Sequence, residues 1–219
     1  MKKYMNYSFI LFGALFIASC GNADPKQGDT DKEPKTVEPV VCSYSYDAAQ
    51  TQFTWTAYKF TERAGVAGTF DSLQISSVEN ASSLEELLKG ARFIIPVSSI
   101  NSKNEDRDMK IQKFFFGSMN ATTQLRGMVQ EAEGDDESGS IQLMLTMNEL
   151  EGPVDMRYLM SGDTLILEGM MDVNAWNGQA GITRLNKECE QLHTGTDGVS
   201  ILWPEVKLEF RSILTKTCN

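Results

Sequence analysis

The sequence predicts an all-β domain of eight antiparallel strands, closed as a barrel or stacked as a sandwich, with two or three short helices. Three observations predict it. Most segments beyond residue 50 alternate apolar and polar side chains with a period of two, the mark of half-buried strands. Glycine-containing or acidic turns separate them at hairpin spacing. Patterns with helical spacing are few, short and confined to the gaps between strands.

The first strand is predicted over Thr51 to Phe60, with Phe53, Trp55 and Ala57 on one face and Thr54, Thr56 and Tyr58 on the other. The second, Gly65 to Ile75, follows a short turn, and Gly65 and Gly68 suit a bend or a close backbone approach. The third is Arg92 to Ile100, where Pro96 implies a bulge or an edge because it lacks an amide hydrogen. Four more follow in close succession: Thr123 to Glu133, Ser140 to Asn148, Gly152 to Met160 and Thr164 to Val173. Val206 to Leu214 alternates again and completes the set. Eight strands enclose either a packed core or one small ligand.

Serines at 82 and 83 followed by Leu-Glu-Glu-Leu-Leu-Lys89 predict a capped helix that ends at Gly90. A second helix is predicted over Asp106 to Phe116, with Met109, Ile111 and Phe114, Phe115 and Phe116 turned inward. The third runs from Ala180 to Leu192, with Ile182, Leu185, Cys189 and Leu192 on one stripe.

Ahead of the strands the chain changes character. A basic tip (Lys2, Lys3), an apolar run from Phe9 to Ala18 and small residues at the break describe a secretory signal over residues 1–19. Ile17-Ala-Ser-Cys20 resembles the lipobox of bacterial lipoproteins, which makes Cys20 the expected acylated first residue. Several acyl chains would anchor firmly, since each buried methylene contributes about 0.8 kcal/mol. Residues 20–40 are rich in charge and proline and poor in large apolar side chains, so they are expected to form a disordered tether. The barrel domain then occupies residues 41–219. Gly21 and Asn22 lack the acidic residue that retains some lipoproteins at an inner membrane, so the outer membrane of a bacterial envelope is the expected location.

The formal net charge is −10, and removing Lys2 and Lys3 with the signal would make it −12. That balance argues against nucleic acid as a partner, because phosphates call for a basic face. The run Glu131 to Glu137 matches no calcium loop and is expected to be a solvated hairpin tip. His193 is the only histidine and has no ligand partners at metal spacing, so no metal site is expected. It is expected to help Asp197 tie down the loop before the last strand, with a functional mouth as the alternative reading. Arg107 and Asp108 lack a nucleophile–base partner and are expected to be structural, as an ion pair, a cap or bonds to nearby carbonyls.

The stretches FTWTAYKFTERAGVAGTFDSLQI and FIIPVSSINSKNEDRDMKIQKFFF resemble the YceI-like family of exported lipid-binding proteins. The resemblance spans roughly Cys42 to Cys218 and rests on an aromatic first strand, a G-V-x-G-x-F second strand and an R-D segment leading to aromatics. It implies a lipocalin-like antiparallel barrel with a long isoprenoid or fatty-acyl chain in its lumen. Where the family pattern places histidines, this chain reads Ala57-Tyr-Lys-Phe60 and Arg107-Asp-Met-Lys110. In such a barrel the first strand begins and the last ends at one rim, so Cys42 is expected to pair with Cys218, leaving Cys189 buried and free.

The expected inward-facing residues are Phe53, Trp55, Phe70, Phe93, Ile95, Leu143, Leu145, Leu167 and Phe210. Phe114, Phe115 and Phe116 are expected to close or floor the lumen. Nine methionines lie between Met109 and Met171, which suits either an adaptable lumen or ordinary core filling. The leading expectation is an anchored carrier or sensor with no cofactor and no catalytic residues. Beyond a membrane and a small apolar lipid, the sequence names no protein partner. The alternatives are a solid-cored interaction module and, with little behind it, a hydrolase using Asp106, Asp108 or His193.

Overall fold

The computed structural model describes residues 42–219. The expected signal, the expected acylation site at Cys20 and the expected tether lie outside the described residues. Ten strands form one antiparallel sheet that curls into a lipocalin-like half-barrel: β1 (Cys42–Lys59), β2 (Ala64–Phe70), β3 (Gln74–Ser76), β4 (Arg92–Pro96), β5 (Ile100–Asn101), β6 (Gln124–Gly134), β7 (Ser138–Met147), β8 (Leu150–Ser161), β9 (Thr164–Asp172) and β10 (Leu202–Cys218). Their order in the sheet is β3-β4-β6-β7-β8-β9-β10-β1-β2-β5.

The expected count of eight is corrected to ten because two expected strands are each broken. The second breaks at Asp71-Ser72-Leu73 into β2 and β3. The third breaks after Pro96 into β4, a 3-10 turn at Val97–Ser99, and β5. Pro96 has no amide to continue the ladder. Its carbonyl instead accepts the Ser99 hydroxyl at 2.7 Å, and the Ser99 carbonyl accepts the Asp71 amide at 2.8 Å. The bent segment thus passes from pairing with β6 to pairing with β2, and brings the two ends of the sheet together.

β1 also starts earlier than expected, at Cys42, with an irregularity between Tyr46 and Thr51. There the Asp47 carboxylate accepts the Ala49 amide and the Asp47 carbonyl accepts the Thr51 hydroxyl, both at 2.8 Å. Cys42 stands directly opposite Cys218 across β1 and β10, and the two form a disulfide. Cys189 is a buried free thiol, and burial pushes its pKa up.

Among the described residues the α-helical segments number four rather than two or three: α1 (Leu84–Leu88), α2 (Glu105–Lys110), α3 (Gln179–Glu188) and α4 (Glu190–His193). On α1, the Ser83 hydroxyl accepts the Glu86 amide at 3.1 Å, and the Glu86 carboxylate accepts the Ser82 amide at 2.7 Å. Leu84, Leu87 and Leu88 face the core. The acidic β6–β7 turn packs here, as Asp136 accepts the Tyr44 hydroxyl at 2.7 Å and the Leu84 amide at 3.1 Å.

The expected helix over Asp106 to Phe116 is α2 followed by a wide π turn at Ile111–Phe115 and a 3-10 turn at Phe116–Ser118. The wide turn shifts the helical period, so the inward stripe begins at Ile111. Met109 is 62% exposed, contrary to its expected inward placement. The third expected helix breaks at Cys189, and Leu192, expected on the buried stripe, is exposed.

Candidate ligand-binding lumen

The inward faces of the strands register with one another. Phe53 on β1 sits opposite Phe210 on β10, which in turn sits opposite Leu167 on β9. Trp55 sits opposite Leu208, and Leu145 opposite both Gly127 and Gly152. Alternation on a pleated sheet carries each of these side chains to the concave side.

Two glycines seat the rings. Trp55 lies directly across from Gly68, where a Cβ would meet its Cε2 at 2.7 Å. Phe93 lies directly across from Gly127, where a Cβ would overlap the phenyl ring. The missing side chains let both rings pack directly on the strand beside them.

Two apolar cavities remain inside the curl. The first, about 110 Å³, is walled by Phe53, Trp55, Phe70, Phe93 and Leu145, and by Ile111, Phe115 and Phe116 from the turns after α2. The second, about 80 Å³, is walled by Phe53, Phe93, Leu143, Leu167 and Phe210, and by Leu87 and Leu88 of α1. Phe53 and Phe93 belong to both walls, with ring centroids 6.1 Å apart, and stand between the two spaces. The Phe70 ring also packs on Phe53, with centroids 6.0 Å apart and planes tilted by 39°.

Two expected lumen residues are elsewhere. Ile95 is fully buried on the same face of β4 as Phe93 but borders neither cavity. Phe114 is turned away from the lumen by the π turn. Its ring packs under Lys113 at 5.0 Å and Arg184 at 5.6 Å. Sequence reasoning missed several wall residues, among them Leu185, Trp203 and Leu208. Leu208 shares the period-two face of Phe210 and could have been found from it. Of the nine methionines, Met147, Met156 and Met171 reach the cavities, and Met170 faces outward as its neighbour faces in.

A third, more polar space of about 230 Å³ adjoins the first cavity and shares Trp55, Ala57, Ile111, Leu185 and Leu202 with it. This vestibule is rimmed by Lys59, Asp106, Arg107, Lys110 and His193. Arg107 donates from Nε to the Ser102 hydroxyl at 2.7 Å and from its terminal nitrogen to the Ser102 carbonyl. Asp108 accepts the Ser102 amide at 2.9 Å, so the pair holds the turn after β5 by way of Ser102. His193 Nδ1 lies 2.9 Å from the Asn186 side-chain oxygen, and Asp197 accepts the Thr61 hydroxyl and, at 3.0 Å, the Val199 amide.

Burial, with a smaller contribution from the Lys59 ammonium, lowers the His193 pKa from 6.5 to about 4. The folded value lies below the unfolded one, so the unfolded chain takes up the proton first. The stability that comes from neutral His193 is complete above its unfolded pKa and is lost as pH falls toward the folded one. Discounted for partial exposure, the loss is about 1–2 kcal/mol. Urea titrations between neutral and mildly acid pH should show this slope in the wild type, and a shallower one in His193→Asn.

The YceI-like domain matches residues 44–211 of the chain. The chain belongs to the YceI-like family. Solved structures share the YceI-like fold at low identity. A polyisoprenoid binding domain from Saccharophagus degradans is 15% identical, with 78% of this chain and 96% of that one covered and a TM-score of 0.56. The YceI protein of Campylobacter jejuni is 17% identical, with 74% and 89% covered and a TM-score of 0.52. BcnA of Burkholderia cenocepacia is 14% identical, with 78% and 99% covered and a TM-score of 0.50. Comparison with curated proteins gave no match.

Proposed function

We propose that this YceI-like protein is an acyl-anchored envelope protein whose barrel holds one long apolar chain, of isoprenoid or fatty-acyl type, as a carrier or sensor without covalent chemistry. The observation that carries this reading is the pair of adjoining cavities with almost entirely hydrocarbon walls. Water gains little in such a space, whereas a methylene chain gains dispersion contacts and leaves water. The Saccharophagus degradans polyisoprenoid binding domain, which shares the fold, supports this reading.

Each cavity, at about 110 and 80 Å³, is smaller than the roughly 150 Å³ apolar cavity that accepts benzene. A chain that occupies both must therefore turn the Phe53 or Phe93 ring aside. The same sizes favour the second reading, a solid-cored interaction module. Tryptophan emission separates the two, because Trp55 and Trp203 both border the first cavity. Dibrominated stearate should quench the emission saturably and plain stearate should reverse it; no quenching below the self-association limit of the probe would leave the solid core.

The anchor rests on the lipobox resemblance at Cys20. Cys20→Ser is expected to abolish incorporation of radiolabelled palmitate and to move the protein from the membrane to the soluble fraction. Unchanged labelling and fractionation would remove the anchor from the account.

A further inference from the structure

Three cationic side chains meet at the vestibule in a chain whose formal net charge is −10. Lys59 comes from β1, and Arg107 and Lys110 from α2. Among the described residues the acid on the rim is Asp106, which pairs with Lys110 at 2.6 Å, and Glu188 acts on Lys110 from outside the rim. His193, held neutral by burial, adds no charge. Asp108 is committed to Ser102 and does not border the space, and Arg107 gives its Nε and one terminal nitrogen to Ser102, which leaves its other terminal nitrogen. Lys59 spends one proton on the Leu192 carbonyl at 2.9 Å, which leaves the rest of its ammonium available.

A second observation comes from the boundary with the lumen. Trp55 borders both the vestibule and the first cavity, and its indole N–H is buried with no acceptor among the described residues. A buried donor without a partner is costly. Trp55 itself forms part of the wall between the two spaces.

Resting on the lumen reading above, we infer that the vestibule receives an anionic head group, a carboxylate or a phosphate monoester, of the lipid whose chain fills the barrel. The chain enters through the shared wall of Trp55, Ala57, Ile111, Leu185 and Leu202. The head stays beside Lys59, Arg107 and Lys110, where charge-assisted hydrogen bonds to oxygen are short and strong. The site thus selects an acid over a neutral alcohol of equal chain length.

Titration of the full chain with hexadecanoate, hexadecyl phosphate and hexadecanol tests this, since the three probes share one chain and differ in the head. At least one anion should bind about tenfold or more tightly than the alcohol, and the tighter of the two identifies the head. In the double variant Lys59→Gln/Lys110→Gln that ratio should fall toward one. In Lys207→Gln, which removes a lysine paired with Glu168 on the sheet, it should persist. Equal binding of acid and alcohol by the wild type, or a ratio that survives in the double variant, would overturn the head-group site and leave the lumen reading standing. Binding of none of the three probes would overturn both.

Discussion

Phe53→Ala is expected to cost about 3–5 kcal/mol of stability while improving the binding of a long chain. The ring is 6% exposed, packs on Phe70 and Phe93, and borders both cavities. Its removal leaves a void that joins them into one channel. A structural core predicts only the loss. A lumen predicts that hexadecanoate at about 100 times its Kd returns about 2.7 kcal/mol, because ligand that binds only the folded state stabilises by mass action. Thermal unfolding of wild type and variant, with and without hexadecanoate, reads both signs. A variant that is destabilised and gains nothing from the acid would count for the solid core.

The disulfide is expected to contribute about 3–5 kcal/mol. Cys42 and Cys218 are 176 positions apart, so the bond removes a very long loop from the unfolded ensemble. Loop-closure entropy grows only slowly with length, which keeps the figure near the upper end of the usual range instead of far beyond it. The two residues also hold together the outer ends of β1 and β10, which pair along most of their length. Cys42→Ser/Cys218→Ser should lower the urea midpoint to the same extent as reduction of the wild type, whereas Cys189→Ser should leave the reduction-sensitive part intact. A reduction-sensitive loss that disappears in Cys189→Ser would mean that the bond involves the buried thiol.

Much of the lumen wall could be read from the sequence because a sheet has a strict period. Once Phe53 and Trp55 share a face, Phe210 and Leu208 meet them from the partner strand, and Leu143, Leu145 and Leu167 follow by the same alternation. The period fails where the backbone leaves regular geometry. Pro96 signalled a disturbance, but its consequence, a strand that changes partner between β6 and β2, depends on bonds from Ser99 and Asp71 that no local pattern shows. The π turn at Ile111–Phe115 rotates Phe114 to the outside while keeping Phe115 and Phe116 inside, so three consecutive aromatics could not be sorted by helical spacing. The start of β1 was hidden because Asp47-Ala48-Ala49-Gln50 interrupts the alternation at a surface irregularity.

The vestibule was legible only in part. His193 on α4 carried a functional mouth as its alternative reading, whereas Lys59 on β1 and Arg107 and Lys110 on α2 read in sequence as surface or structural residues. Only the curl of the sheet and the packing of α3 beside the turns after α2 bring them to one opening. The helix break at Cys189 turns Leu192 out of the core and leaves it on the rim of the same space.

The central claim is that the barrel is a container for a lipid chain. Native mass spectrometry of protein isolated from its native cells, before and after organic extraction, tests it most directly. The account predicts one non-covalent adduct per chain, of the mass of a long-chain lipid, lost on extraction and restored by adding the extract back. Protein that carries no adduct under any gentle release, and takes none up from a lipid extract of the same cells, would contradict it.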